Sequence, residues 1–152
     1  MNDSAMIVVG AIACLGLSGA GSAAGTGFAA SAAVGAWKKC YAANKTAPFN
    51  LLTFVGAPIT QTLYGMILMF IMLGKLGNVA EGSGLPVPLS GILSGIAIGL
   101  SAFFQGRAGA AACDAQGETN QGFTNYLAAL GIVETVAIFA MVFTLIALAA
   151  VK

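Results

Sequence analysis

The chain has 152 residues, of which 59% are hydrophobic and only 7% are charged, and its formal net charge is +1. Soluble domains carry about 25% charged residues, so this composition excludes an ordinary soluble fold and predicts an integral membrane protein. The sequence has no histidine, no basic run and no closely spaced cysteines, so it predicts neither a nucleic-acid partner nor a zinc site or disulfide framework.

Four apolar stretches follow one another along the chain, at about residues 5–36, 48–77, 85–113 and 122–151. Each exceeds the roughly 20 residues that a helix needs to cross the hydrocarbon core of a bilayer. Short polar segments separate them, at residues 38–45, 81–84 and 114–122, as antiparallel neighbours require. The sequence therefore predicts an all-α membrane protein with four transmembrane helices.

The sequences of the four spans indicate a duplicated pair of helices. Spans 1 and 3 are both rich in glycine and alanine, and residues 59–62 of span 2 resemble residues 132–135 of span 4. We therefore predict two hairpins, residues 1–80 and residues 81–152, of which the second carries glutamate where the first carries glutamine. The glycine stripe of span 3, Gly91, Gly95 and Gly99, predicts close packing of helix backbones.

The basic residues predict how the chain is oriented in the membrane. Four of them lie at one end of the hairpins and two at the other: Lys38, Lys39, Lys45 and Arg107 against Lys75 and Lys152. Because cytoplasmic loops carry an excess of lysine and arginine, this distribution places loops 1–2 and 3–4 in the cytoplasm. Both termini then lie outside.

Glu134 is the charged residue that lies near the middle of a span. An ionised carboxylate at that depth costs at least about 2.5–3.5 kcal/mol on insertion scales. Such a group must be protonated, paired with a cation or open to water. A neutral glutamic acid that only hydrogen-bonds helices together is the purely structural alternative.

Two glutamines are expected at the same depth as this carboxylate. In an antiparallel hairpin, two residues lie at one level when they are equally distant from the turn. Gln105 and Glu134 are equidistant from the 3–4 loop, and Gln61 and Gln105 are equidistant from the 2–3 loop. The sequence thus predicts one polar layer that contains all three side chains.

Span 2 adds further oxygen atoms to this layer. Ala57, Thr60, Gln61 and Tyr64 are spaced three or four residues apart, so they share a helix face. Pro58 removes a backbone hydrogen bond and tends to kink the helix, which frees backbone oxygen nearby.

The donors in the layer are then a carboxylate, two amide oxygens, a hydroxyl and a carbonyl. Hard oxygen donors suit a hard cation, and one carboxylate neutralises one monovalent charge. This leaves Na⁺ or H⁺ as the bound ion. A proton needs only the carboxyl group and one acceptor, so the additional oxygens favour Na⁺.

Four motifs together resemble a known family: residues 21–27 of span 1, residues 58–65 of span 2, residues 105–107 of span 3 and residues 133–135 of span 4. In order and at matching depth, they resemble the four-helix proteolipid of V-type rotary ATPases, and most closely its sodium-type bacterial form, the K subunit. That proteolipid is a duplicated form of the two-helix rotor protein of F-type ATP synthases. The resemblance covers nearly the whole chain, although the 1–2 loop is longer than in the sodium-type form.

The resemblance implies a role for each residue of the layer. Glu134 would bind Na⁺ together with the side chains of Thr60, Gln61 and Gln105 and the backbone carbonyl of Ala57. Tyr64 would hydrogen-bond the carboxylate and lock the site.

The resemblance also implies the setting in which these residues work. Identical copies would form a ring in lipid, with spans 1 and 3 inside, in a membrane that is expected to be the bacterial plasma membrane. A stator subunit would supply an arginine, and a central stalk would contact the cytoplasmic loops. The chain has no phosphate-binding loop, so it would not be an enzyme on its own and would need no organic cofactor.

Three other functions compete with a sodium rotor. The first is the same ring carrying protons. The second is a small four-helix multidrug or cation antiporter, although such carriers place their glutamate in the first helix and line their cavity with aromatic residues. The third is a structural or channel-forming bundle, which would not need a polar layer at one depth.

Overall fold

The computed structural model describes residues 3–78 and 85–151, and the secondary structure of these ranges is entirely helical. The helices are α1 (Asp3–Ala42), α2 (Leu51–Gly56), α3 (Thr60–Leu73), α4 (Pro86–Thr119) and α5 (Phe123–Ala150), with a 3₁₀ turn (Ala57–Ile59) between α2 and α3. Within the described part of the chain, four helical spans are long and apolar enough to cross a bilayer, and α2 to α3 together make the second of them. The predicted all-α architecture with four spans is confirmed.

Helices α1 and α4 extend beyond the predicted first and third spans. The prediction that residues 38–42 and 114–119 belong to loops was wrong, because both segments are helical. A helix does not have to end at the membrane surface: at about 1.5 Å per residue, α1 is about 60 Å long, twice the roughly 30 Å of a hydrocarbon core. Lys39 Nζ joins the two extensions by contacts to Asp114 Oδ1 (2.9 Å) and Glu118 Oε1 (3.0 Å). The predicted 2–3 loop at residues 81–84 lies outside the described residues.

The centre of the bundle is the parallel pair α1 and α4, which approach each other through glycine. Gly21 of α1 lies against Gly99 of α4, and Gly25 lies against Gly106. The helices are so close that a Cβ on any of these four glycines would overlap the backbone of the facing helix. This is the close approach that the glycine stripes predict, and it uses van der Waals packing rather than polar contacts. Of the four spans, α4 is the most buried and α5 the least. Helices α3 and α5 therefore pack on the outside of a glycine-rich centre.

Pro58 interrupts the second span where the sequence predicts a kink. Its ring nitrogen has no hydrogen to donate, and the chain forms a 3₁₀ turn there instead of continuing the α-helix. The Phe54 carbonyl, which loses this donor, lies against Gly109 of α4, where an added Cβ would be only 2.9 Å from the carbonyl oxygen. Gly109 thus leaves room for the disturbed turn, which carries Ala57 to the level of the polar layer.

A tight turn sets the register of α5 against α4. Asn120 ends α4 with φ +52°, and Gly122 precedes α5 with φ +84°. Asparagine and glycine are the residues that most readily adopt this left-handed conformation, which closes a helix in a short space. The short connection holds Gln105 of α4 and Glu134 of α5 at one depth.

We predict that Gly106→Ala lowers the melting temperature of the protein in detergent, followed by circular dichroism. The new Cβ would overlap the Gly25 backbone, and overpacking of this kind costs about 1–3 kcal/mol. Gly131→Ala is the matched control, because no atom outside its own helix lies within 4 Å of the added carbon. It should raise the melting temperature or leave it unchanged, since alanine favours a helix by about 1 kcal/mol over glycine. Equal shifts in both variants would contradict close α1–α4 packing.

Candidate ion-binding site

Glu134 lies on α5 at the side of the bundle and is half-buried, while its neighbours Ile132 and Val136 are exposed. Its carboxylate turns toward α3 and α4, so it is held between helices although it sits near the outer surface. Within residues 3–78 and 85–151, no cationic side chain forms an ion pair with Glu134. The carboxylate is therefore balanced by hydrogen-bond donors and not by a cationic side chain.

Two hydroxyl groups of α3 contact the same carboxylate oxygen. Tyr64 Oη donates to Glu134 Oε1 at 2.6 Å, and Thr60 Oγ1 lies 2.7 Å from the same atom. The two residues are four apart on one helix, so their side chains stand one above the other on one face. Helix α3 thus fixes the position of Oε1 from two points.

The other carboxylate oxygen is held by α4. Gln105 Nε2 donates to Glu134 Oε2 at 3.2 Å and also to the Leu130 carbonyl at 3.0 Å. Its Oε1 accepts a hydrogen bond from Gln61 Nε2 at 2.8 Å, and both glutamines are completely buried. These partners set the orientation of the Gln105 amide, so that it presents nitrogen to the carboxylate.

Oxygen atoms converge on the Thr60 hydroxyl. Oγ1 lies 3.0 Å from the Ala57 carbonyl oxygen, 3.1 Å from Gln61 Oε1 and 2.7 Å from Glu134 Oε1. A hydroxyl has one hydrogen to donate, so it cannot satisfy three acceptors at once. The cluster therefore contains more acceptor oxygen than donor hydrogen, which is the chemistry that suits a small hard cation.

The structure thus brings together all of the residues that the sequence predicts for the site: Ala57, Thr60, Gln61, Tyr64, Gln105 and Glu134. No group of three or more His, Cys, Asp or Glu side chains that could hold a metal occurs in residues 3–78 and 85–151. The three cysteines, Cys14, Cys40 and Cys113, are free and buried away from the layer. The oxygen atoms that contact the Thr60 hydroxyl are one carboxylate oxygen, one amide oxygen and one backbone carbonyl oxygen.

Ser101 is a supporting residue that the sequence reasoning missed. Its Oγ donates to the Val133 carbonyl at 2.9 Å, directly before Glu134 on α5. Ser101 precedes Gln105 by four residues, so the two side chains reach α5 from the same face of α4. That spacing is the signal that could have identified it, because serine by itself is common in closely packed membrane helices.

One protein family is similar to the second half of the chain. Residues 82–147 match the family model of the ATP synthase C subunit, a segment that contains both Gln105 and Glu134. No curated protein matches the chain. The matched segment is less than half of the chain, so the similarity to this family is shown for the second half alone.

We predict that Gln105→Leu destabilises the bundle more than Ser101→Ala does. The leucine variant leaves Gln61 Nε2 without its partner, and a buried group left in this way costs about 1–3 kcal/mol. Ser101→Ala removes one hydrogen bond to a carbonyl and leaves no buried donor unpaired. Thermal unfolding in detergent measures the difference. A Gln105→Leu variant as stable as the unsubstituted protein would contradict the described network.

Proposed function

We propose that this chain is the rotor-ring proteolipid of a V-type rotary ATPase and that it carries Na⁺ across the membrane by reversible binding at Glu134. The observation that carries the proposal is the convergence of Ala57 O, Gln61 Oε1 and Glu134 Oε1 on the Thr60 hydroxyl. The match of residues 82–147 to the ATP synthase family supports the rotor assignment. The resemblance of the first hairpin to the V-type proteolipid extends that assignment to the whole chain.

In this proposal the converging oxygens are the ligands of the ion. The Ala57 carbonyl, the Thr60 hydroxyl and Gln61 Oε1 supply neutral oxygen, and Glu134 supplies the balancing charge. Gln105 contributes its amide nitrogen to the carboxylate in the described arrangement. Its oxygen could join the ligands only after the amide reverses, at the expense of its bonds to the Leu130 carbonyl and to Gln61 Nε2.

Charge balance explains why such a site can move past lipid. A bare carboxylate at mid-membrane costs at least about 2.5–3.5 kcal/mol, whereas a carboxylate with one bound monovalent ion is neutral. The hydroxyl of Tyr64 holds Oε1 from the side and keeps the carboxylate turned toward α3. An occupied site can therefore face the hydrocarbon, and an emptied one needs another cation nearby.

The rotary mechanism follows from this difference between the two states. Identical copies form a ring, and a stator subunit presents an arginine that displaces the ion from Glu134 at the point where water has access. Helices α1 and α4 extend toward loops 1–2 and 3–4, the end we assign to the cytoplasm and to the central stalk. The chain supplies the ion carrier, and ATP is bound and hydrolysed elsewhere in the complex.

We predict that Na⁺ protects Glu134 from a carboxyl-reactive carbodiimide. The reagent attacks the carboxyl group in its protonated form. Bound Na⁺ would take the place of that proton, so low-millimolar Na⁺ should block labelling and K⁺ should not. Modification of the purified protein is followed by mass spectrometry over a range of pH with either salt. Glu134→Gln is the control that must not be labelled at this position.

The other outcomes separate the competing functions. Labelling that follows pH alone, with no effect of Na⁺, would replace the sodium rotor by a proton rotor that uses the same carboxylate. A Glu134 that fails to react under every condition would contradict the rotor assignment itself.

We predict that Thr60→Ala raises the Na⁺ concentration needed for protection by at least about tenfold, because loss of one ligand worth about 1.4 kcal/mol weakens binding by that factor. Thr135→Ala is the matched control. Thr135 is next to Glu134, but its hydroxyl bonds to the Ile132 carbonyl of its own helix, so protection should be unchanged. Unchanged protection in Thr60→Ala would remove the hydroxyl from the ligand set.

A further inference from the structure

The backbone of α5 is held by α4 directly beside Glu134. Ser101 Oγ donates a hydrogen bond of 2.9 Å to the Val133 carbonyl. Gln105 Nε2 donates one of 3.0 Å to the Leu130 carbonyl. The two donors are four residues apart on α4, and the two acceptors are three residues apart on α5, so side chains from one face of α4 hold a single turn of α5.

Both contacts act on the peptide group that joins Val133 to Glu134. Ser101 holds the carbonyl oxygen of this group. Its N–H belongs to Glu134 and donates within α5 to the carbonyl four residues earlier, which is that of Leu130, the acceptor of Gln105. A peptide group is planar and rigid, so holding it at both ends fixes the direction in which the Glu134 side chain leaves the backbone.

The hydrogen bond of Ser101 differs from the others around Glu134 because it does not end on the carboxylate. The bonds of Thr60, Tyr64 and Gln105 to this residue all end on a carboxylate oxygen. An ion that binds at the proposed site, and an arginine that displaces it, would each rearrange those bonds. The bond from Ser101 ends on backbone, so it can persist in both the occupied and the empty site.

A second buried serine of α4 shows how a serine hydroxyl can be satisfied without a neighbouring helix. Ser94 lies seven residues before Ser101, which places it on nearly the same face, and both residues are only 5% exposed. The Ser94 hydroxyl donates to the Ser90 carbonyl of its own helix at 2.6 Å. Such a bond to the carbonyl four residues earlier is common for serine in helices. Ser101 instead donates across to α5, directly before Glu134.

We propose that Ser101 is a positioning residue for ion binding. It holds the Val133–Glu134 peptide group in place while the carboxylate exchanges its ion, so that Glu134 Oε1 returns to the Thr60 hydroxyl each time. Ser101 is not a ligand and does not touch the ion. Its role rests on the proposed binding of an ion at Glu134, and it adds the residue that sets how tightly this site binds.

Carbodiimide labelling of Glu134 in the purified protein tests the role of Ser101. Ser101→Ala should raise the Na⁺ concentration that gives half-protection by about three- to tenfold, the factor that corresponds to one ordinary hydrogen bond. Ser101→Thr should restore the original concentration because it keeps the hydroxyl. The added methyl group has room, since Ser101 borders an apolar cleft between α4 and α5.

Ser94→Ala is the matched control for the alanine variant. It removes an equally buried hydroxyl from the same helix, but that hydroxyl donates to α4 itself and not to α5 beside Glu134. The half-protection concentration should therefore stay as it is in the unsubstituted protein. A rise as large as that in Ser101→Ala would overturn the positioning role.

Thermal unfolding with and without a fixed concentration of Na⁺ separates positioning from a general loss of stability. A bound ion raises the melting temperature by an amount that depends on its affinity. Ser101→Ala should therefore gain less stability from Na⁺ than the unsubstituted protein does. A merely structural serine would lower the melting temperature equally in both conditions and would leave half-protection unchanged.

The outcomes distinguish the positioning role from the function on which it rests. Unchanged half-protection in Ser101→Ala, or a rise that Ser101→Thr does not reverse, would overturn the role of Ser101 and leave Na⁺ binding at Glu134 standing.

Labelling that follows pH alone in the unsubstituted protein would overturn the sodium site, and the pH of half-labelling then becomes the measure. Ser101→Ala should shift that pH and Ser101→Thr should restore it, whereas an unshifted pH would overturn the positioning role as well. A Glu134 that is never labelled would overturn both.

Discussion

The arrangement of this protein depends on one constraint, that a single carboxylate in the middle of an apolar helix must be balanced. Glu134 is met by hydroxyls of α3 on one oxygen and by an amide of α4 on the other. Each donor comes from a different helix than the acceptor, so the carboxylate fixes three helices at one depth. Apolar side chains could not set this register alone, because lipid tails are as apolar as the helix surfaces.

The glycine-rich centre and the polar layer have separate tasks. Helices α1 and α4 meet backbone to backbone, and α1 contributes no side chain to the hydrogen bonds around Glu134. Close packing of α1 gives α4 a firm support, and α4 then presents Gln105 and Ser101 to α5. The carboxylate itself stays near the outer surface of the bundle, where the proposed ion would enter and leave without the bundle opening.

Much of the site could be predicted because helix geometry is regular. Two residues equidistant from a turn lie at one level, so the positions of Gln61, Gln105 and Glu134 follow from counting. Spacings of three and four residues place Thr60 and Tyr64 on one face in the same way. These inferences need only the rise per residue and the number of residues per turn of an α-helix, which are nearly constant in membrane helices.

Counting residues along the helices does not predict the helix ends, the orientation of an amide or the partner of a serine, because these depend on individual contacts. Helices α1 and α4 end beyond the predicted ends of spans 1 and 3, because polar residues do not by themselves end a helix: Lys39 pairs with Asp114 and Glu118 between the two helices. The orientation of the Gln105 amide is decided by the Leu130 carbonyl and by Gln61, which no local pattern reveals. Ser101 and Ser22 look alike in sequence, yet one has a partner on α5 and the other has none within the described residues.

The predicted duplication of the hairpin gives a reason for the amide at Gln61. Under the predicted duplication, Gln61 corresponds to Glu134, and a carboxylate there would put a second negative charge into the same layer. Because Gln105 joins the two residues, that charge would compete with Glu134 for the same donors. The amide avoids this conflict by using both of its ends: its oxygen lies beside the Thr60 hydroxyl and its nitrogen donates to Gln105. The second hairpin thus carries the charge, and Gln61 of the first hairpin holds Gln105 and lies beside Thr60.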